Sequence, residues 1–163
     1  MAASSATRRP IQEEDMDFLL RLYWTTRADE MAMVTDWTNE QKDAFVRMQF
    51  QAQHVWYQEH YGDAQFDLVL VDGIPAGRLY VHRRATEIRL VDIALLPEYR
   101  NGGIGTALLR EFFDESAESG RPVTIHVEKY NPAMRLYERL GFVPIADRGV
   151  YLLLQRVPAQ SLP

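Results

Sequence analysis

The 163-residue sequence contains no cysteine. That excludes disulfides, thiolate metal sites and a cysteine nucleophile together. No apolar run approaches the ~20 residues that span a membrane. The opening MAASSATRRP lacks the apolar core of a signal peptide. A soluble cytoplasmic protein is therefore expected, with no membrane partner. Basic residues are in the minority, 18 against 23 acidic ones, for a net charge of -5. A nucleic-acid binder would usually show a basic face, so no nucleic-acid partner is expected. A local patch is still free to hold a substrate that carries phosphates, and the overall field mildly favours small cations. No serine sits in Gly-x-Ser-x-Gly, so a serine acyl-enzyme has no support. His54 and His60 are six apart on a helical stretch, the wrong spacing for a shared metal. His82 stands alone in a strand-like stretch, as does His126. No metal site is expected.

Hydrophobic residues make up 47% of the chain. At this length a folded chain buries roughly 70% of its unfolded surface, enough for a core. Residues 1–163 read as a single domain without repeats or linkers. A helix is expected from Gln12 to Arg27, with Phe18, Leu19, Leu22 and Tyr23 on one face. The stretch DEMAMVTDW has no clean period and reads as a loop. Thr38 with Gln41 forms a capping-box signature for a second helix. Its expected buried stripe is Phe45, Met48, Ala52, Val55 and Trp56.

From Gln65 the period becomes two. FDLVLV, the Asp72-Gly73 turn and GRLYVH predict a hairpin, and EIRLVDIALL a third antiparallel strand that Pro97 stops. A helix follows, with Ile104, Ala107, Leu108 and Phe112 on one face. VTIHVE is a fourth strand, NPAMRLYERLG a short helix, and FVPIADRGVYLLLQR two strands about Arg148-Gly149. The whole is an α+β domain with a mixed sheet.

Three glycines, Gly102, Gly103 and Gly105, crowd the entrance of the third helix. Glycine is costly to order, so the cluster needs a reason. A P-loop requires a lysine after the last glycine, where Thr106 stands. A dinucleotide fingerprint requires a third glycine, where Leu108 stands. What remains is a strand, a tight turn and a helix whose first N–H groups point outward. Such a start attracts anions, and missing side chains let a diphosphate approach. A tight turn without a ligand explains the glycines equally well.

Arg100-Asn101-Gly102-Gly103-Ile104-Gly105 follows a strand ending IALLPEY and matches Arg/Gln-x-x-Gly-x-Gly/Ala. This resembles the coenzyme A loop of the GNAT N-acetyltransferase superfamily. NPAMRLYERLGF, Asn131 to Phe142, resembles a second block of the same superfamily. The resemblance covers about Phe66 to Leu154. It implies a mostly antiparallel sheet of six to seven strands flanked by four helices. It also implies acetyl-CoA as cosubstrate and transfer to a primary amine.

The resemblance assigns the diphosphate to the amides of Asn101, Gly102, Gly103, Ile104, Gly105 and Thr106, framed by Arg100. It sets Ala94, Leu95 and Leu96 beside the pantetheine arm, in a slot where this strand and VTIHVE splay apart. Asn131 would reach the pantetheine, or simply cap its helix. Tyr137 is expected to protonate the leaving thiolate, while a backbone N–H near Ala94 or Leu95 stabilises the carbonyl oxygen. Asp92, on the same strand face as Ala94, is the expected base. Glu87, Glu128, His126 and a water chain are alternatives. Glu30, Asp36 and Trp37 would suit a cationic or aromatic acceptor. The acceptor is a small-molecule or protein amine; dimerisation is common in the family it resembles, and the last strands are the candidate edges for a homodimer. A non-catalytic acyl-CoA-binding module and a nucleotide-phosphate-binding regulatory domain are the competing readings.

Overall fold

The computed structural model describes residues 6–158. Thr38 caps its helix as its side chain predicts: Thr38 Oγ1 accepts from Gln41 N–H (3.1 Å) and Gln41 Oε1 accepts from Thr38 N–H (2.8 Å). Asp72 and Gly73 both have positive φ, 52° and 80°, the conformation that closes a two-residue hairpin. These local signals set the frame for α1 (Met16–Met33), α2 (Asn39–His60), β2 (Gln65–Val71), β3 (Ile74–Arg83) and β4 (Ile88–Leu95). Beyond them come α3 (Ile104–Ser119), β5 (Val123–Glu128), α4 (Met134–Arg139), β6 (Val143–Arg148) and β7 (Tyr151–Arg156). Before them runs β1 (Ala6–Pro10), a strand the sequence did not announce.

One seven-stranded sheet joins them in the order β1-β2-β3-β4-β5-β7-β6. All neighbours are antiparallel except β4 and β5. The expected mixed sheet and four helices are thus present. Alternation along each strand sends side chains to two faces. One face carries Leu79, Val81, Ile88, Leu90, Val123 and Ile125 onto Leu108, Leu109 and Phe112 of α3. Burying each such side chain stabilises the fold by about 1.5–3 kcal/mol before entropy is counted. The other face packs Leu68 against Leu19 and Tyr23 of α1 and Val46 and Phe50 of α2.

Two expectations are corrected here. The helix α1 continues to Met33, because Ala-Asp-Glu-Met-Ala-Met is made mostly of helix formers. The loop before α2 is therefore short. The buried side of α2 is also not the expected stripe: Val46 and Phe50 are buried, while Met48, Val55 and Trp56 are exposed. Gln53 and Tyr57 continue the buried face toward the sheet at i+7 and i+11 from Val46.

Candidate active site

The site begins with a fault in the sheet. Tyr80 faces Asp92 but Val81 faces Leu90, so Val91 is an extra residue on β4. Such a bulge bends a strand and increases its twist. Pairing between β4 and β5 stops at Leu90 and Ile125. Beyond it β4 runs on to Leu95 and β5 to Glu128, leaving a gap between them. Leu96 N–H reaches Ala76 O at 2.8 Å. By alternation the Leu95 N–H turns away from β3, toward the gap, and the Ala94 N–H belongs to the β3 ladder. Of the two expected oxyanion donors, the register favours Leu95.

Gly77 makes this edge possible. A Cβ there would lie 2.2 Å from Ala94 O and 3.1 Å from Leu95 Cα. Only glycine lets β3 and β4 approach so closely. Its importance was not visible in the sequence, where it sits within an ordinary strand pattern.

The gap leads to the glycine loop. Arg100 Nε donates to Leu95 O at 2.9 Å, and its Nη2 to Thr25 Oγ1 of α1 at 3.3 Å. The loop is thereby tied to the end of β4 and to α1. Asn101 and Gly103 have positive φ, 62° and 85°. Gly103 carries the turn into α3 with no side-chain cap and no acid in the first turn. The first helical bond closes from Ala107 N–H to Gly103 O, so the N–H groups of Ile104, Gly105 and Thr106 precede it. A Cβ on Gly102 or Gly103 would meet nothing within 4 Å. Packing within the chain does not require glycine at 102. Leu96, after β4, is buried.

Tyr137 projects from α4 and is 7% exposed. Its ring stands edge-on to Phe142 at 5.6 Å. Burial, then the negative charge of Asp92, push its phenol up to about 12. Tyr137 and Asp92 therefore act on one another electrostatically from α4 and β4. Asp92 Oδ2 accepts from Arg78 Nη2 at 2.6 Å and from the Tyr57 hydroxyl at 3.0 Å. Its Oδ1 makes no hydrogen bond among the described residues and is reached by solvent. Arg78 Nη2 also donates to Gln53 Oε1 at 2.9 Å.

The other expected residues lie around this centre. Asn131 Oδ1 accepts from Ala133 N–H at 2.8 Å, the turn that starts α4. Glu87 stands at the foot of β4 and accepts from Thr124 Oγ1 (2.6 Å) and Arg84 Nη1 (3.0 Å). His126 is 3.4 Å from Arg89 Nη1, and burial, then the charges of Arg89, Arg148 and Arg84, lower its pKa. Glu128 pairs in register with Tyr151 of β7. Burial, then Glu128, raise the Tyr151 phenol; Arg27, Tyr23 and Asp92 also act on it. Glu30 is not in a loop: it lies in α1 and accepts from Arg27 at 3.0 Å. Asp36 and Trp37 are in the connection to α2, with Trp37 edge-on to Phe45 at 5.2 Å.

Tyr57, Arg78, Arg27 and Tyr151 were not singled out from the sequence. Arg78 carried a signal, a charge in an apolar strand, but its partner emerges only from the β3–β4 register.

No group of three His, Cys, Asp or Glu among the described residues is placed to hold a metal ion. The PaiA N-acetyltransferase from Thermoplasma acidophilum, solved in complex with coenzyme A, has a similar fold. It is 19% identical, with a TM-score of 0.67 over 94% of this chain and 99% of that one. PH1933 from Pyrococcus horikoshii OT3 is 16% identical, with a TM-score of 0.70 over 97% and 100%. The ribosomal-protein-S18-alanine N-acetyltransferase from Escherichia coli is 18% identical, with a TM-score of 0.61 over 96% of each chain. No curated protein matches the chain by sequence. The model of the acetyltransferase (GNAT) family matches residues 31–142, more than half of the chain, so the chain belongs to the GNAT acetyltransferase family.

Proposed function

We propose that the protein transfers an acetyl group from acetyl-CoA to a primary amine, in the cytoplasm and by direct attack within a ternary complex. One observation carries this reading. β4 leaves β5 after Leu90, and the segment beyond that point carries Asp92, which acts on Tyr137, and leads into the uncapped start of α3.

In this reading the amides from Asn101 to Thr106 hold the diphosphate, and Ala94, Leu95, Leu96 and Asn131 line the pantetheine arm. The amine nitrogen attacks the thioester carbon. A C–N bond forms and the C–S bond breaks. The Leu95 N–H receives the developing negative charge on the carbonyl oxygen, before the thiolate leaves. Asp92 Oδ1 takes the proton lost by the nitrogen. Tyr137 gives its proton to the thiolate and recovers one from solvent. A thiol holds its proton up to about pH 8.5 and Tyr137 to about 12, so the transfer runs uphill for the free acid. Tyr137 must therefore act as the bond breaks, with the new phenolate quickly reprotonated.

In this reading the acceptor reaches Asp92 past Tyr151 of β7, on which Glu128, Arg27 and Asp92 act. Glu30 of α1 and Asp36 and Trp37 of the connection to α2 are the proposed acceptor contacts. Both small-molecule and protein amines suit this reading; an alanine of a ribosomal protein is the named acceptor of one structural relative. The edge strand β6 exposes Val143 and Ile145, and we place the candidate homodimer contact there. The test is thiol release from acetyl-CoA against a panel of primary amines. Amine-dependent release with an N-acetylated product supports the reading. Acetyl-CoA binding without release would instead indicate a binding module.

A further inference from the structure

Asp92 is held more elaborately than a solvent-facing carboxylate needs. Three elements converge on it. Tyr57 reaches it from α2, Arg78 from β3, and its own place follows the bulge in β4. Both donors take the same oxygen, Oδ2, and Oδ1 is left without a partner among the described residues and open to solvent.

A structural strut is the plainer explanation, but it fits poorly. A buried ion pair is weak support for stability, because desolvation offsets the attraction. Arg78 is only 4% exposed, and its Nε is buried with no hydrogen-bond partner. Leaving a buried donor unpaired is unfavourable. The guanidinium is thus turned toward Asp92 and Gln53 at the expense of its own saturation. Such local conflicts concentrate at functional sites. Tyr57 adds a second conflict: burial, then the charge of Asp92, push its phenol well above its ordinary range, so it acts only as a donor.

We propose that Tyr57 and Arg78 are positioning residues: they lock Asp92 Oδ2 so that Oδ1 alone meets the acceptor amine. This rests on the acetyl-transfer reading above. Neither residue touches the reacting atoms. Gln53, one turn before Tyr57 on the same face of α2, steadies Arg78 from the other side. The α2 helix thereby contributes to catalysis through residues that its apolar pattern hides.

The experiment is a double-mutant cycle. Thiol release is measured with 2-phenylethylamine and with the amine panel, and acetyl-CoA affinity by calorimetry. Tyr57→Phe removes one hydroxyl and keeps the ring. It is expected to lower kcat/KM for the amine about ten-fold, with acetyl-CoA affinity unchanged. In the Asp92→Asn background the same change is expected to have almost no effect, because Tyr57 acts only through that carboxylate. Arg78→Lys, which keeps the charge but not the fork, is read in the same cycle and serves should Tyr57→Phe fail to fold. Equal losses in both backgrounds, or a loss of acetyl-CoA affinity, overturn the inference and leave the transfer reading standing. No release by the wild-type protein with any amine overturns the transfer reading, and this inference with it.

Discussion

Replacing Gly105 by alanine and then by aspartate separates a structural glycine from a ligand-binding one. Gly105 lies in the first turn of α3 with no positive φ, and a Cβ there would meet only Leu95 Cδ1, at 4.0 Å. That is ordinary contact, so nothing in the chain resists the change. Alanine is the better helix former by about 0.5–1 kcal/mol. Gly105→Ala is therefore expected to raise stability by that amount, read as the urea midpoint at unchanged slope. Acetyl-CoA affinity is expected to stay within about two-fold, because the matched motif admits alanine at this position. Gly105→Asp instead sets a carboxylate among the first amides of α3, against the diphosphate. Losing one charge-assisted hydrogen bond there removes about 1.5–3 kcal/mol, so affinity is expected to fall at least about ten-fold. Gly103→Ala differs, because its φ of 85° strains any side chain by about 1–2 kcal/mol. Calorimetric titration with acetyl-CoA decides. Undiminished affinity in Gly105→Asp would refute the diphosphate reasoning and return the loop to a plain turn.

Three other outcomes are expected. Tyr137→Phe keeps the packing on Phe142 and should lower turnover about 100-fold, with acetyl-CoA affinity within about two-fold; steady-state kinetics with calorimetry check it, and unchanged turnover removes the acid from Tyr137. Gly77→Ala drives a methyl group into the Ala94 carbonyl and should destabilise the fold by about 1–3 kcal/mol while weakening acetyl-CoA binding; an unperturbed variant in both assays contradicts the close β3–β4 approach. Tyr57, Tyr80 and Tyr137 are all raised above the free phenol, chiefly by burial. Ultraviolet titration of the native protein should then show fewer than the eight tyrosines ionising near pH 10. Their folded values exceed their unfolded ones. The associated stability is full below about pH 10 and is lost as pH rises through the folded values, with Tyr137 contributing up to about 12.

The elements with strong local signals were legible. The capping box at Thr38 and the Asp72-Gly73 turn formed as written, and so did the apolar face of α3 except for Ala107, which is exposed. Other elements depended on distant partners. The strand Ala-Thr-Arg-Arg-Pro reads as a polar tail, but it pairs with β2, and its arginines meet Glu111 and Asp15. The face of α2 misled because Met48, Val55 and Trp56 are apolar yet exposed, whereas Gln53 and Tyr57 turn inward to a buried charge. Periodicity counts apolar residues and cannot anticipate a polar interior. The Arg78–Asp92 pair spans 14 residues and exists only because β3 and β4 pair with a bulge between them. The glycine cluster stood out by pattern, but its expected ligand, like the expected role of Tyr137, came from the family resemblance. The segment between the first two helices was hardest to read: helix propensity extends α1 through Glu30 and changes what the expected loop contains.

The central claim is direct transfer within a ternary complex, and initial-rate kinetics test it most directly. Coenzyme A release is measured while acetyl-CoA and the accepted amine are varied against each other. Direct attack by the amine predicts intersecting double-reciprocal lines and release that requires the amine. Parallel lines, or release that proceeds without the amine, would mean that an acyl-enzyme or simple hydrolysis intervenes, and would contradict the account.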